Sequence, residues 1–213
     1  MRTVLAYGDS NTHGTAPMAN AGDKARFSPD IRWTGHTRRL LPSDTFMIEE
    51  GHPGRTTLHD DPIEGAHRNG LTILPAILES HRPLDLVILM LGTNDMKARF
   101  SVTAEDVAAS LDRLIRTIRA AEVGQDRGAP DILLVCPPPV LETGCLAGMF
   151  RGGAAKSAAL APLAERVAAA HGARFLDAGA HIAVSPVDGV HFDAGAHAAL
   201  GRAIGEIVAE MLG

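Results

Sequence analysis

The chain is poor in cysteine, in aromatic rings and in concentrated charge. Its 213 residues include two cysteines, Cys136 and Cys145. One follows a strand-like run and the other sits in a loop. Two reduced thiols are therefore expected rather than a disulfide framework, and with them a cytoplasmic protein. One Trp, one Tyr and six Phe leave few rings to stack on an isoalloxazine, which argues against a flavin; no cofactor is expected. No Lys or Arg run stands out and the formal charge is −5, so the electrostatic footprint of nucleic-acid binding is missing. No stretch approaches the ~20 apolar residues of a membrane helix. Only Val4 to Tyr7 lies between Arg2 and Gly8, far short of the ~7–15 residues of a signal-peptide core. Neither a nucleic-acid nor a membrane partner is expected.

What is present suits a packed globular core. The apolar fraction is 46%, and the length fits one domain over residues 1–213 with no linker or internal repeat. The pattern alternates strand and helix five times. Val4–Tyr7, Thr45–Glu49, Leu86–Leu91, Ile132–Val135 and Arg174–Leu176 read as strands. The run at 86–91 is continuously apolar, the mark of a central parallel strand buried on both faces. Helices are expected over 30–41 with Asp30 as cap and Trp33, Leu40 and Leu41 on one face, over 69–80 around Pro75, over 103–121 with Thr103 and Asp106 as a capping box, over 154–171, and over 194–212. Such alternation predicts a three-layer α/β/α fold with a five-stranded parallel sheet and right-handed crossovers.

Strand ends are where open α/β sheets bind ligands. Three carry polar or turn residues: Ser10 in Gly8-Asp9-Ser10, Gly54 in His52-Pro53-Gly54-Arg55, and Asn94 in Gly92-Thr93-Asn94-Asp95. A fourth piece, Asp188-Gly189-Val190-His191, precedes the last helix. An acid and a histidine three apart can share one side of a turn. Ser10 is the candidate nucleophile, His191 its base and Asp188 the group that orients the imidazole. The Ser10 and Gly54 N–H groups and the Asn94 amide could hold an oxyanion. Gly51 competes with Gly54 for that place. Asp9 and Asp95 are expected to be structural. No metal is required, and the spacing of His52, His59, His67, Asp60 and Asp61 fits no ligand motif. Trp33 is expected to pack, with a place near a subunit contact. The glycine-rich 144–153 loop is open to a role as lid or interface.

The four blocks, in this order and spacing, resemble the GDSL-type or SGNH hydrolase family. Arg32-Trp33-Thr34-Gly35, Glu49-Glu50-Gly51, Arg55-Thr56-Thr57 and Leu91-Gly92-Thr93-Asn94-Asp95 resemble its bacterial arylesterase branch. The resemblance implies a flavodoxin-like α/β/α fold, Ser-His-Asp catalysis, short-chain ester substrates, acyl transfer to alcohols in some members, and a homo-oligomer whose neighbours narrow the site entrance. Two positions depart from the family pattern: Asn11 stands where leucine is usual, and His13 where a large apolar residue is expected. Both are candidate substrate-pocket residues. Carbohydrate deacetylation and thioesterase or lysophospholipase activity would use the same triad. A non-catalytic flavodoxin-like module is the reading from another class, and intact Ser10, Asp188 and His191 argue against it.

Overall fold

The computed structural model describes residues 1–213. The chain runs β1 (Arg2–Gly8), α1 (Ser10–His13), α2 (Trp33–Arg38), β2 (Thr45–Gly51), α3 (Gly70–Ser80), β3 (Leu86–Met90), α4 (Ala104–Ala120), β4 (Asp131–Cys136), α5 (Gly153–Ala158), α6 (Leu160–Ala170), β5 (Arg174–Asp177) and α7 (Ala194–Leu212), with short 3-10 turns between them. The five strands form one parallel sheet in the order β2-β1-β3-β4-β5. The chain leaves β1 to one side for β2 and returns past it for β3. The point between β1 and β3 is thus the topological switch, where such sheets open a crevice.

The period of two along each strand splits the core into two faces. Leu5, Tyr7, Val87, Leu89 and Leu134 pack against α3, α4 and α6 through residues such as Leu74, Leu111 and Ala164. Val4, Ala6, Ile88, Met90 and Leu133 pack on the other face against Trp33 of α2 and Leu200, Ile204 and Val208 of α7. This is the expected three-layer arrangement. The helix α4 starts as read: Thr103 Oγ1 accepts from the Asp106 N–H, and the Asp106 carboxylate accepts from the Thr103 N–H. Both thiols are free, Cys136 buried and Cys145 exposed.

Four expectations need correction. The helix at 30–41 is shorter, Trp33–Arg38, and Asp30 does not cap it. Arg32 holds the cap position but its side chain is drawn off to the Phe27 carbonyl at 3.0 Å and to Glu49 at 2.5 Å. Asp30 faces Arg38 and Arg39 at the surface, at 3.6 Å from each. Ending the helix at Arg38 takes Leu40 off the apolar stripe, and it is exposed while Leu41 is buried. The helix at 154–171 is two helices broken at Ala159. Pro162 lies in the first turn of α6; it has no N–H to donate to the Ala158 carbonyl, and its ring crowds that carbonyl. Trp33 is wholly buried in the core, so it contributes no surface to a subunit contact.

The α2–α7 seam holds a buried histidine. His197 is fully buried; its Nδ1 accepts the Trp33 N–H at 3.2 Å, and its ring meets Phe27 and Phe192 edge-on. Burial, then the charge of His36, pushes its pKa down to about 4. The folded protein therefore refuses a proton that the unfolded chain takes up near pH 6.5. The associated stability is whole above pH 6.5 and drains away as pH falls toward 4, on the order of 3 kcal/mol. In urea titrations across that window, His197→Gln should flatten the stability loss relative to wild type, since the amide oxygen can still accept the Trp33 N–H. An unchanged slope would place the titrating group elsewhere.

Candidate active site

Ser10 opens α1, a single turn immediately beyond β1. Asp9 caps that turn, its Oδ1 accepting the Asn11 N–H at 2.9 Å. Gly14 closes it in the left-handed conformation, φ 86°. The Ser10 N–H is thus a first-turn donor with no partner inside the helix. Burial raises the Asp9 carboxyl to about 6, against the pull of the Asn11 N–H and of His191.

The histidine loop is built by Asp188. Its Oδ1 accepts the N–H groups of Val190 and His191, each at 2.9 Å, and its Oδ2 faces His191 Nδ1 at 2.6 Å. An ionised carboxylate only accepts, so Nδ1 carries the proton and Nε2 of the neutral ring keeps its lone pair. Burial pushes the Asp188 carboxyl up, but the hydrogen bonds from the His191 side chain and backbone and from Met18 more than offset it and hold it at about 2. Gly189, at φ 76°, lets the loop turn tightly there; a Cβ would lie 2.1 Å from the Leu141 carbonyl oxygen.

A cavity of about 390 Å³ collects the pieces: Ser10, Gly54, Asn94 and His191 all line it. Gly54 has φ 76°, a region that favours glycine, and a Cβ there would lie 2.7 Å from Glu64 Oε2. Gly51 is a packing glycine instead, its Cβ position 2.1 Å from the His13 nitrogen and away from the cavity. Asn94 is aimed by one good bond, its Nδ2 donating to the Arg55 carbonyl at 3.1 Å; the second amide hydrogen is held only loosely, with Asp9 Oδ2 at 3.5 Å. Asp95, fully buried, accepts from the Thr57 N–H and hydroxyl and faces His59 Nδ1 at 3.0 Å. Asp9 and Asp95 thus bind the loops around the site, as read from the sequence.

His13 lines the cavity as expected; Asn11 does not. Asn11 points away, and its amide is consumed by the backbone on either side of His191. It is not a pocket residue, because the helical turn that exposes Ser10 rotates the next side chain to another face. The 144–153 loop is a wall: Leu146, Met149 and Phe150 give the cavity an apolar side with Met18 and Val190. His52 and His67 meet edge-on while His59 faces Asp95, and no three His, Cys, Asp or Glu side chains converge as metal ligands.

Sequence reasoning missed two parts of the site. The segment 15–27 folds back as a flap, paired through Thr15 and Arg26, and Met18, Asp23, Lys24 and Ala25 line the cavity. The Met18 N–H reaches Asp188 Oδ2 at 2.7 Å. The opposite wall is charged, with Glu64, Arg68 and Lys97. Lys97 Nζ lies 2.8 Å from Glu64 and 3.5 Å from Asp61, and Arg99 lies 2.9 Å from Asp61. Neither contact has a local signal: Lys97 and Arg99 meet Asp61 and Glu64 across 33 to 38 residues, and Met18 meets Asp188 across 170.

The GDSL-like lipase/acylhydrolase family model matches residues 6–199. The chain belongs to that family. Among solved structures it is similar to an aryl esterase of M. smegmatis, at 38% identity and TM-score 0.94, with 99% of this chain and 100% of that one covered. A carbohydrate acetylesterase from Sinorhizobium meliloti superposes with TM-score 0.95 at 39% identity over 99% of this chain and 100% of that one. A lipase/acylhydrolase from Enterococcus faecalis, at 21% identity and TM-score 0.66, covers 99% of this chain and 96% of its own and shares the fold. No match was found among curated protein sequences. The chain is accordingly a carboxylic ester hydrolase.

The charged wall makes its own prediction. Burial pushes the Asp61 carboxyl up, but the Glu64 and Ile63 N–H groups, Lys97 and Arg99 outweigh it and hold Asp61 at about 2. Asp61→Ala would leave Lys97, 3% exposed, and Arg99 short of a counter-charge. Breaking a buried pair from one side costs about 3–5 kcal/mol. Urea denaturation at neutral pH should show a loss of that order; a change below about 1 kcal/mol would mean that Glu64 and water replace Asp61.

Proposed function

We propose that the chain is a serine esterase acting on short acyl esters, acetyl foremost, of aryl, alkyl or sugar alcohols, with residues 1–213 as one catalytic unit. The observation that carries this reading is the 2.6 Å His191 Nδ1–Asp188 contact, with His191 and Ser10 on the wall of one cavity. Ser10 Oγ attacks the ester carbonyl while His191 Nε2 takes its proton. The imidazolium is stabilised by Asp188, which stays ionised throughout. Charge collecting on the carbonyl oxygen is met by the Ser10 and Gly54 N–H groups and the Asn94 amide. One such donor is worth ~10²–10³ in rate. His191 returns its proton to the departing alkoxide and the alcohol leaves, giving an acyl-enzyme on Ser10. Water, or an alcohol in acyl transfer, attacks in turn with His191 again as base, and the C–O bond to Ser10 breaks. The M. smegmatis aryl esterase supports the aryl substrate class. A cytoplasmic homo-oligomer belongs to the same reading.

A second reading, carbohydrate deacetylation, draws support from the charged wall of Glu64, Arg68 and Lys97 and from the S. meliloti acetylesterase. Hydroxyl groups both donate and accept, and a wall of mixed charge offers partners for both. A thioesterase or lysophospholipase role would use the same Ser10 acyl-enzyme.

Ser10→Ala should retain its fold and lose at least ~10³-fold in kcat on p-nitrophenyl acetate, with fluorophosphonate labelling abolished. Wild-type rates should fall from acetate through butyrate to octanoate. A rise toward octanoate would move the substrate to lipids or thioesters, and a fully active Ser10→Ala would overturn the mechanism. Acetylated sugars turned over faster than aryl acetates would favour the second reading.

A further inference from the structure

The side chain next to Ser10 reaches across the sheet edge to the histidine loop. Asn11 Nδ2 donates to the Val190 carbonyl at 3.1 Å, and Asn11 Oδ1 accepts the Phe192 N–H at 3.1 Å. The two bonds grip the backbone on either side of His191. All three residues are buried, Asn11 at 1%, Val190 at 2% and Phe192 at 0% exposure. A primary amide suits this task, because it carries a donor arm and an acceptor arm in one plane. It stands in for one rung of a β-ladder between segments 179 and 181 residues apart in the chain.

The other tie to the histidine loop is less direct: the Met18 N–H reaches Asp188 Oδ2 at 2.7 Å, but from the flap and not from the turn that carries Ser10. Asp188 fixes the imidazole from Nδ1 and ties the Val190 and His191 N–H groups within its own loop. Those bonds set the ring's orientation but not the distance from the whole loop to Ser10. On the other side, Asp9 Oδ1 holds the Asn11 N–H at 2.9 Å and so fixes the turn that carries Ser10. Asn11 is the link between these two rigid pieces. We propose that Asn11 is a positioning residue whose amide clamps the His191 backbone to the Ser10 turn and so sets the serine–imidazole separation for proton transfer. The inference rests on the serine-esterase reading above. It differs from a pocket role, since Asn11 does not line the cavity.

Two variants and one exchange measurement test it. Asn11→Leu is close in shape and has neither polar arm. Asn11→Asp keeps an acceptor for the Phe192 N–H but sets a second acceptor against the Val190 carbonyl. In each folded variant kcat on p-nitrophenyl acetate should fall on the order of ten- to a hundred-fold, the penalty of a small misplacement of a reacting group. KM should stay within about twofold. Amide exchange at Phe192 should be slow in wild type and accelerate in the variants, with the β3 amides still protected. A folded Asn11→Leu with a lower Tm but wild-type kcat would overturn the proposal, because the amide would then serve stability alone. Should neither variant fold, exchange in the wild-type protein decides: a Phe192 amide exchanging as freely as a surface loop would overturn the clamp. Ser10→Ala and His191→Ala run beside these. If they keep full turnover, the esterase reading fails; if they are dead and Asn11→Leu is fully active, the clamp alone fails.

Discussion

Four hydrogen bonds converge on the carboxylate of Asp188, and the shape of the site follows from them. Two come from its own loop, the Val190 and His191 N–H groups; one comes from the imidazole and one from Met18 in the flap. A carboxylate has about four lone-pair sites, so this one is fully subscribed. Full subscription is what lets a completely buried acid remain an anion. The anion in turn fixes the imidazole tautomer, folds the loop that carries it, and seats the flap over the cavity. The same four donors leave Asp188 no vacant site at which to take a proton from the imidazole.

The side of the site that carries Gly54 and Asn94 is organised by a buried cation rather than an anion. Arg55 is 2% exposed, lies 4.2 Å over the Tyr7 ring, and donates to the Gly8 carbonyl at 2.8 Å and to the Glu50 carbonyl. Those carbonyls end β1 and β2. Its own carbonyl accepts the Asn94 amide beyond β3. One residue therefore ties together the ends of three strands, and Gly54 is its neighbour in the chain. The parallel sheet brings these ends to one edge, and Arg55 holds them in register there. With the Asn94–Asp9 contact at 3.5 Å, it braces the switch point between β1 and β3, where the Ser10 turn sits.

Much of this was legible in the sequence, and the failures have physical causes. The strand at 86–91 needed no context, since a continuous apolar run has few other uses. The capping box at Thr103 and Asp106 is local chemistry and was read correctly. Asp188 and His191 were legible because their partnership spans a single turn. Asn11 was misplaced because the direction of a side chain on a one-turn helix depends on dihedral angles that spacing does not encode. The charged wall was invisible because Asp61 meets Lys97 and Arg99 only after β2 and β3 have been placed. Asp30 lost its cap role to a long-range contact, the attraction of Arg32 to Glu49 on the sheet. The break before α6 is different: Pro162 stands in plain view inside the alanine-rich run 154–171, whose helix propensity masks it.

The clamp between Asn11 and the histidine loop has a consequence for how the site comes into being. Its two halves are separated by almost the whole chain, with four of the five strands placed in between. Closing so long a loop costs chain entropy that no local contact repays. The Ser10 turn is synthesised before β2 and the His191 loop after β5. A nascent chain can lay down β1, β2 and β3, and even Asn94, before the Asn11 amide has the Val190 and Phe192 backbone to close on. Pairing of the Ser10 turn with the His191 loop is therefore a late event, coincident with the docking of the segment that leads into α7. The two halves of the site thus come together only once the whole sheet is in place.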